Sequence, residues 1–152
     1  MRIISGQYKG RRLTAPKNLP VRPTTDMAKE ALFNILNNQY YFDEISVLDL
    51  FAGTGNISYE FASRGTNNIT CVDQNYGCIK YINETAESFE MPISTIKSDV
   101  FSFLENHKQP YTIVFADPQI LSMVPCLTFY YFPTFCLRLI ATLNLLWFQL
   151  TI

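Results

Sequence analysis

The chain has 152 residues, of which 48% are apolar and 16% charged, and a net charge of −1. That is enough for one globular domain with a real core and too little for two, and the near-neutral total argues against a domain basic over its whole surface. Four cysteines (Cys71, Cys78, Cys126, Cys136) without a Cys-x-x-Cys, and a single histidine, exclude the usual zinc spacings and a disulfide framework; no metal is expected, and the thiols should be reduced and buried.

The average charge hides an asymmetry. Residues 1–38 carry Arg2, Lys9, Arg11, Arg12, Lys17, Arg22 and Lys29 against Asp26 and Glu30, whereas residues 39–117 carry four basic and eleven acidic groups. A basic arm ahead of an acidic body suggests a phosphate-binding extension on a catalytic or cofactor domain. The start, Met1-Arg2-Ile3-Ile4-Ser5-Gly6, lacks the apolar run of a secretory leader, so a cytoplasmic location is expected.

In chain order, Arg2–Ser5 and Arg11–Thr14 are short runs separated by Gly6 and Gly10, which read as a small hairpin arm, polar and partly mobile. Pro16, Pro20 and Pro23 keep the next stretch extended until Thr24-Thr25-Asp26, whose side chains can cap a helix over Met27–Asn37 with an apolar stripe of Ala28, Ala31, Leu32, Ile35 and Leu36. From Ile45 the pattern alternates between apolar runs and helical stretches, as a βαβ sheet requires. Strands are expected at Ser46–Phe51, Asn68–Val72, Ile93–Ile96 and Tyr111–Ala116, with helices near Ile57–Ser63, Gly77–Ser88 and Val100–Asn106.

The first strand runs into Val47-Leu48-Asp49-Leu50-Phe51-Ala52-Gly53-Thr54-Gly55-Asn56, a Gly-x-Gly turn before a helix start. Phe51, Ala52, Gly53, Thr54 and Gly55 therefore stand where α/β sheets bring backbone close to a cofactor. Asp49 precedes the turn, and Ser58 stands in place of the third glycine of the dinucleotide fingerprint. A carboxylate there disfavours a pyrophosphate and suits S-adenosyl-L-methionine, which has no phosphate and carries a cationic amino-acid end. Asp73, ending the second strand, can accept both hydroxyls of an adenosine ribose. Asp99, after the third strand, is placed to accept from the adenine amino group, with a helix N-cap before Val100 as the competing role.

The fourth strand ends in Val114-Phe115-Ala116-Asp117-Pro118. With Arg2-Ile3-Ile4-Ser5-Gly6, Lys9-Gly10-Arg11-Arg12-Leu13, Val21-Arg22-Pro23-Thr24-Thr25-Asp26, Glu30-Ala31-Leu32-Phe33-Asn34 and Asp49–Gly55, the stretch 1–118 closely resembles the RsmD-like methyltransferases, which modify the exocyclic N2 of a guanine in small-subunit (16S) ribosomal RNA. The resemblance implies a Rossmann-like α/β methyltransferase fold with an N-terminal arm, S-adenosyl-L-methionine as methyl donor, and ribosomal RNA or a ribosomal particle as partner. It implies that Asp117 and the Pro118 carbonyl hold the guanine amine, and that Arg11, Arg12 and Arg22 grip RNA phosphates. The family's Asp-Pro-Pro-aromatic motif is here Asp117-Pro118-Gln119-Ile120, without the second proline and the aromatic platform that stacks an extruded base.

Three segments are thus expected: the arm with its helix (1–38), a partial methyltransferase domain (39–118) and an atypical apolar tail (119–152). The tail has no acidic group and a single cation, Arg138. It reads as the product of a shifted reading frame near codon 119, leaving the sheet truncated after its fourth strand, with an open edge, low solubility and weak catalysis. The alternative, a membrane anchor over 135–152, is weakened by Arg138 and Asn144. Two further readings remain beside the RNA methyltransferase: an amino-directed DNA methyltransferase, which leaves Arg22-Pro23-Thr24-Thr25-Asp26 unexplained, and a non-catalytic module that binds S-adenosyl-L-methionine or RNA.

Overall fold

In the computed structural model, residues 1–16, 19, 24–117 and 139–140 are described. Helix α1 spans Asp26–Asn37, strand β1 Ser46–Leu50, α2 Asn56–Ser63, β2 Asn68–Asp73, α3 Tyr76–Ser88, β3 Ile93–Lys97, α4 Val100–Asn106, β4 Ile113–Ala116 and β5 Leu139–Ile140. The strands form one sheet in the order β3-β2-β1-β4-β5, and every neighbouring pair is parallel. The chain works outward from β1 to β3 on one side and then crosses to β4 on the other, so β1 and β4 flank the topological switch point where such sheets bind ligands.

β1 and β4 are buried almost end to end, as their continuous apolar runs require of strands covered on both faces. Val47, Ile69, Cys71, Ile113 and Phe115 face one core together with side chains of the arm and of α1–α3, whereas Leu48, Leu50, Val72, Val114 and Ala116 face a second one with Val100 and Phe103 of α4. Because residues along a strand alternate faces, Asp49 lies on the α2 side of the sheet.

Three expectations are corrected. The buried face of α1 is Lys29, Leu32, Phe33 and Leu36, whereas Ala28 and Ala31 are exposed. The helix is rotated by about one residue from the apolar stripe because Phe33 packs edge-to-face on Phe61 and at a tilt against Phe42, and Lys29 has a buried carboxylate partner. The arm is no loose extension, since Ile3 and Leu13 are buried in the core and the arm's backbone is bonded to α2. Nor is β4 the sheet's edge, because Val114 and Phe115 pair with Leu139 and Ile140. The remaining expectations for 119–152 lie outside the described residues; within the described ones, no helix is long and apolar enough to cross a membrane.

Candidate cofactor crevice and arm

The parallel sheet brings the carboxyl ends of β1, β2, β3 and β4 to one rim. Leu50 pairs in register with Ala116, so the chain leaves β1 at Phe51 beside the point where it leaves β4 at Asp117. Between them the turn is built from left-handed backbone: Phe51 has φ +61°, Gly53 +56° and Gly55 +75°. Gly55 is also the N-cap residue of α2, and a Cβ there would meet Ile82 Cγ1 and Tyr59 Cζ at 3.0 Å, so both its conformation and its packing call for glycine. Phe51 occupies a conformation that costs an ordinary side chain about 1–2 kcal/mol. The Ala52 amide donates to the Val72 carbonyl (3.1 Å) and the Gly55 amide to the Ala52 carbonyl (2.8 Å), which fixes the bend against β2.

Asp73 is pinned across this bend. Its Oδ2 accepts from the Gly53 amide and its Oδ1 from the Asn75 amide, each at 2.8 Å, and the half-buried carboxylate retains further lone pairs for a ligand's hydroxyls. Asp99, exposed at the end of β3, caps α4: its Oδ1 accepts from the amides of Phe101 and Ser102 at 3.1 Å. Its second oxygen takes no part in the cap.

Asp49 lies beneath the bend, fully buried, and its Oδ2 accepts from Ser58 Oγ at 2.5 Å; Cys71 Sγ donates to the same hydroxyl oxygen at 3.0 Å. Burial pushes the Asp49 carboxyl up to about 7; the Ser58 bond opposes the shift, and the charges of Asp73 and Asp117 add to it. These three carboxyl groups thus share one electrostatic neighbourhood. Among the described residues no lysine or arginine forms an ion pair with Asp49 or Asp73. Such a rim is chemically matched to a ligand with hydroxyls and positive charge.

Of the residues singled out in the sequence, the structure brings Asp49, Phe51, Ala52, Gly53, Thr54, Gly55, Asp73, Asp99 and Asp117 to this rim. Pro118 and Arg22 lie outside the described residues. Arg12 and Arg11 part company. Arg12 bridges antiparallel to Arg2 in the hairpin, whose Met1 Sδ accepts from Thr54 Oγ1 of the glycine turn at 3.7 Å. Arg11 instead lies over the Phe89 ring, 5.2 Å from its centroid, and the Phe89 carbonyl accepts from Tyr8. Phe89 precedes β3, so Arg11 is at the amino edge of the sheet, away from the crevice.

A second polar centre escapes the sequence reading. On α2, Glu60 accepts from the amides of Ile4 (2.9 Å) and Ser5 (3.0 Å) and pairs with Lys29 (3.4 Å) and Arg64 (3.0 Å). Lys29 also donates to the Arg2 carbonyl and to Asn56 Oδ1, and Asn56 Nδ2 donates to the Thr24 carbonyl. Further down the helix, Ser63 receives the Tyr8 amide on Oγ and the Gln7 amide on its carbonyl. Gly6, at φ +83°, passes so close that a Cβ would lie 1.8 Å from the Ser63 carbonyl oxygen. Burial lowers the Lys29 ammonium pKa, opposed mainly by Glu60. The sequence signal is slight: a glutamate set between the aromatics Tyr59 and Phe61 of α2, with Lys29 lying outside the apolar stripe read for α1.

The model of the family described as conserved hypothetical protein 95 matches residues 1–120. The ribosomal RNA small subunit methyltransferase D of Escherichia coli K12 is 33% identical over 119 residues, which cover 78% of this chain and 59% of that protein. The solved Escherichia coli protein yhhF superposes with a TM-score of 0.71 at 33% identity, covering 79% of this chain and 65% of that one. An S-adenosylmethionine-dependent methyltransferase of Agrobacterium tumefaciens gives a TM-score of 0.54 at 27% identity, covering 70% of this chain and 35% of its own. The chain therefore spans about half to three-fifths of the length of the curated relatives it matches.

Proposed function

This chain belongs to the conserved hypothetical protein 95 family, and from that premise we propose that it is the cofactor- and arm-bearing part of an S-adenosyl-L-methionine-dependent methyltransferase acting on the exocyclic N2 of a guanine in small-subunit ribosomal RNA. The observation that carries this reading is the left-handed glycine bend ringed by carboxylates: Asp73 accepts from the Gly53 amide across it, Asp49 is buried beneath it, and Asp117 follows β4 beside the exit of β1. The family relatives named for small-subunit rRNA methylation supply the substrate class.

The rim fits the cofactor. Gly53 and Gly55 let backbone approach it, Asp73 offers its remaining lone pairs to the ribose hydroxyls, and the second oxygen of Asp99 accepts from the adenine amine. The Asp49 carboxylate, beneath Phe51, Ala52 and Thr54, sets a negative potential for the cationic amino-acid end. When bound, the sulfonium supplies an activated methyl group. The chain's own contribution is orientation: a guanine amine is conjugated and weakly nucleophilic, so Asp117, with the Pro118 carbonyl, accepts its hydrogens and turns the nitrogen toward the methyl. Arm cations meet the RNA phosphates. Acting on ribosomal RNA, the protein would work in the cytoplasm without a resident metal.

Calorimetric titration with S-adenosyl-L-methionine tests the reading. Binding by the parent chain and its loss in Asp49→Ala are expected; no binding by a folded parent chain overturns it. Radiolabelled methyl transfer to small-subunit particles and to naked DNA then separates the RNA enzyme from a DNA enzyme. Because Gln119-Ile120 replaces the family's proline and aromatic, cofactor binding with no transfer to either substrate would favour a non-catalytic binding module.

A further inference from the structure

The basic arm is divided by its fold into two ends, and only one of them faces the crevice. At that end Met1, Arg2, Arg12 and Asp26 line an open groove of about 500 Å³. Arg2 and Arg12 are direct cross-strand partners, so their side chains leave the hairpin on the same face. Two like charges set opposite each other destabilise a hairpin, and one half-buried carboxylate, Asp26, stands against the pair, 3.5 Å from Arg2 Nε. The groove is tied to the cofactor turn through the Met1 contact with Thr54, and to α1 through the Arg2 carbonyl, which accepts from buried Lys29 at 2.6 Å. At the other end, Arg11 is spread over Phe89 beside the start of β3.

Resting on the function proposed above, we infer that the Arg2/Arg12 groove is the seat of an RNA backbone phosphate next to the target nucleotide. Asp26 occupies Arg2 until that phosphate replaces it, and Arg11 belongs to the fastening of the arm. A planar guanidinium pair suits the forked acceptors of a phosphodiester, and a repulsive pair is relieved by the anion it binds. The inference adds Arg2 and Asp26 to the RNA-facing set and moves Arg11 largely out of it.

The test is binding of the full chain to a guanine-containing single-stranded oligoribonucleotide across a salt series, with a parallel titration of S-adenosyl-L-methionine. The double variant Arg2→Gln/Arg12→Gln should weaken RNA binding about tenfold at 0.15 M salt and flatten the slope of log K against log salt by about 0.7, the value for one lost phosphate on a single strand. Arg11→Gln should produce under a third of that slope change. Asp26→Asn, which removes the competing carboxylate while its Thr25-capped helix persists, should tighten RNA binding severalfold, a gain that misfolding cannot mimic. Equal effects of Arg11→Gln and the double variant, an unchanged slope in the double variant, weaker binding by Asp26→Asn, or no RNA binding by the parent chain would each overturn the inference. Failure of the parent chain to bind S-adenosyl-L-methionine, with the RNA pattern as expected, would overturn only the enzymatic reading on which it rests.

Discussion

Two carboxyl groups buried against α2 are handled in opposite ways. Glu60, completely buried, has two amide donors, the Lys29 ammonium and the Arg64 guanidinium, all from within the chain. Asp49, equally buried just below the helix start, has the Ser58 hydroxyl and the repulsion of Asp73 and Asp117. The first arrangement closes on itself and holds the arm. The second has no balancing cation among the described residues, as the proposed cofactor site requires of a carboxylate that meets a cationic ligand.

Removing a partner from the closed centre should have the largest effect. Glu60→Ala strands Lys29 and frees two arm amides, so unfolding in urea should show a loss of about 3–5 kcal/mol, the cost of breaking a buried ion pair. A double change, Glu60→Leu with Lys29→Met, should recover part of that loss, because apolar replacement leaves no buried charge. If the single variant unfolds at the same urea concentration as the parent, the centre does not hold the arm.

The contact between arm and helix can be attacked sterically as well. Gly6→Ala places a methyl where the Ser63 carbonyl lies 1.8 Å away, in a left-handed backbone. The tip of the arm must lift from α2, and thermal melting should report a loss of about 2–3 kcal/mol. Gly10→Ala serves as its control, since no atom lies within 4 Å of a Cβ there and only the cost of φ +82° applies, about 1 kcal/mol.

These two centres also mark what was legible in the sequence. The strand–turn–helix unit of 46–63, the order of α and β elements and the carboxylates at the strand ends follow from apolar periodicity and from glycines where backbone must bend, both local signals. The rotation of α1 was not legible, because periodicity treats Lys29 as surface; only Glu60, 31 positions away, makes it a core residue. The docking of the arm depends on the same distant partner. Phe51 hides a third feature: its left-handed backbone completes a bend that a search for glycines begins only at Gly53. The split between Arg11 and Arg12 depends on which hairpin face meets α2, which adjacent residues in a sequence cannot reveal. β5 sits in a segment whose composition gives no strand alternation, so the pairing of Leu139 and Ile140 with β4 was not foreseen.

In the second arrangement, Asp49→Asn should act with opposite signs on stability and on binding. The folded Asp49 carboxyl titrates near 7 against 3.8 for the free group. The folded state therefore prefers the protonated form. That contribution to stability is full below pH about 4, declines as pH rises, and is lost above about 7. An asparagine side chain would keep the Ser58 bond without the charge, so the variant should exceed the parent in unfolding free energy at pH 8 by about 2–4 kcal/mol and match it near pH 4. A cationic ligand prefers ionised Asp49, so parent affinity for S-adenosyl-L-methionine should rise from pH 5.5 to 7, where a free α-amino group, with a pKa of about 7.7–8.0, still keeps most of its proton. The variant should bind about tenfold more weakly at pH 7.5 and show a flat profile. A parent profile that is equally flat would mean that Asp49 is a structural carboxylate like Glu60.

The smallest expected effect separates two duties of Asp99. Its Oδ1 caps α4 through the amides of Phe101 and Ser102, a role that asparagine performs about as well and alanine does not. Asp99→Ala should therefore lower stability by about 1 kcal/mol, while Asp99→Asn should leave it within a few tenths. Affinity sorts the variants differently if the second oxygen receives the adenine amine. Asparagine can turn only one acceptor oxygen to that task and spends it on the cap, so both variants should bind S-adenosyl-L-methionine a few fold more weakly, by similar factors. Affinity that tracks stability, lost in the alanine variant and intact in the asparagine one, would assign Asp99 to the helix and leave adenine recognition to other groups on the rim.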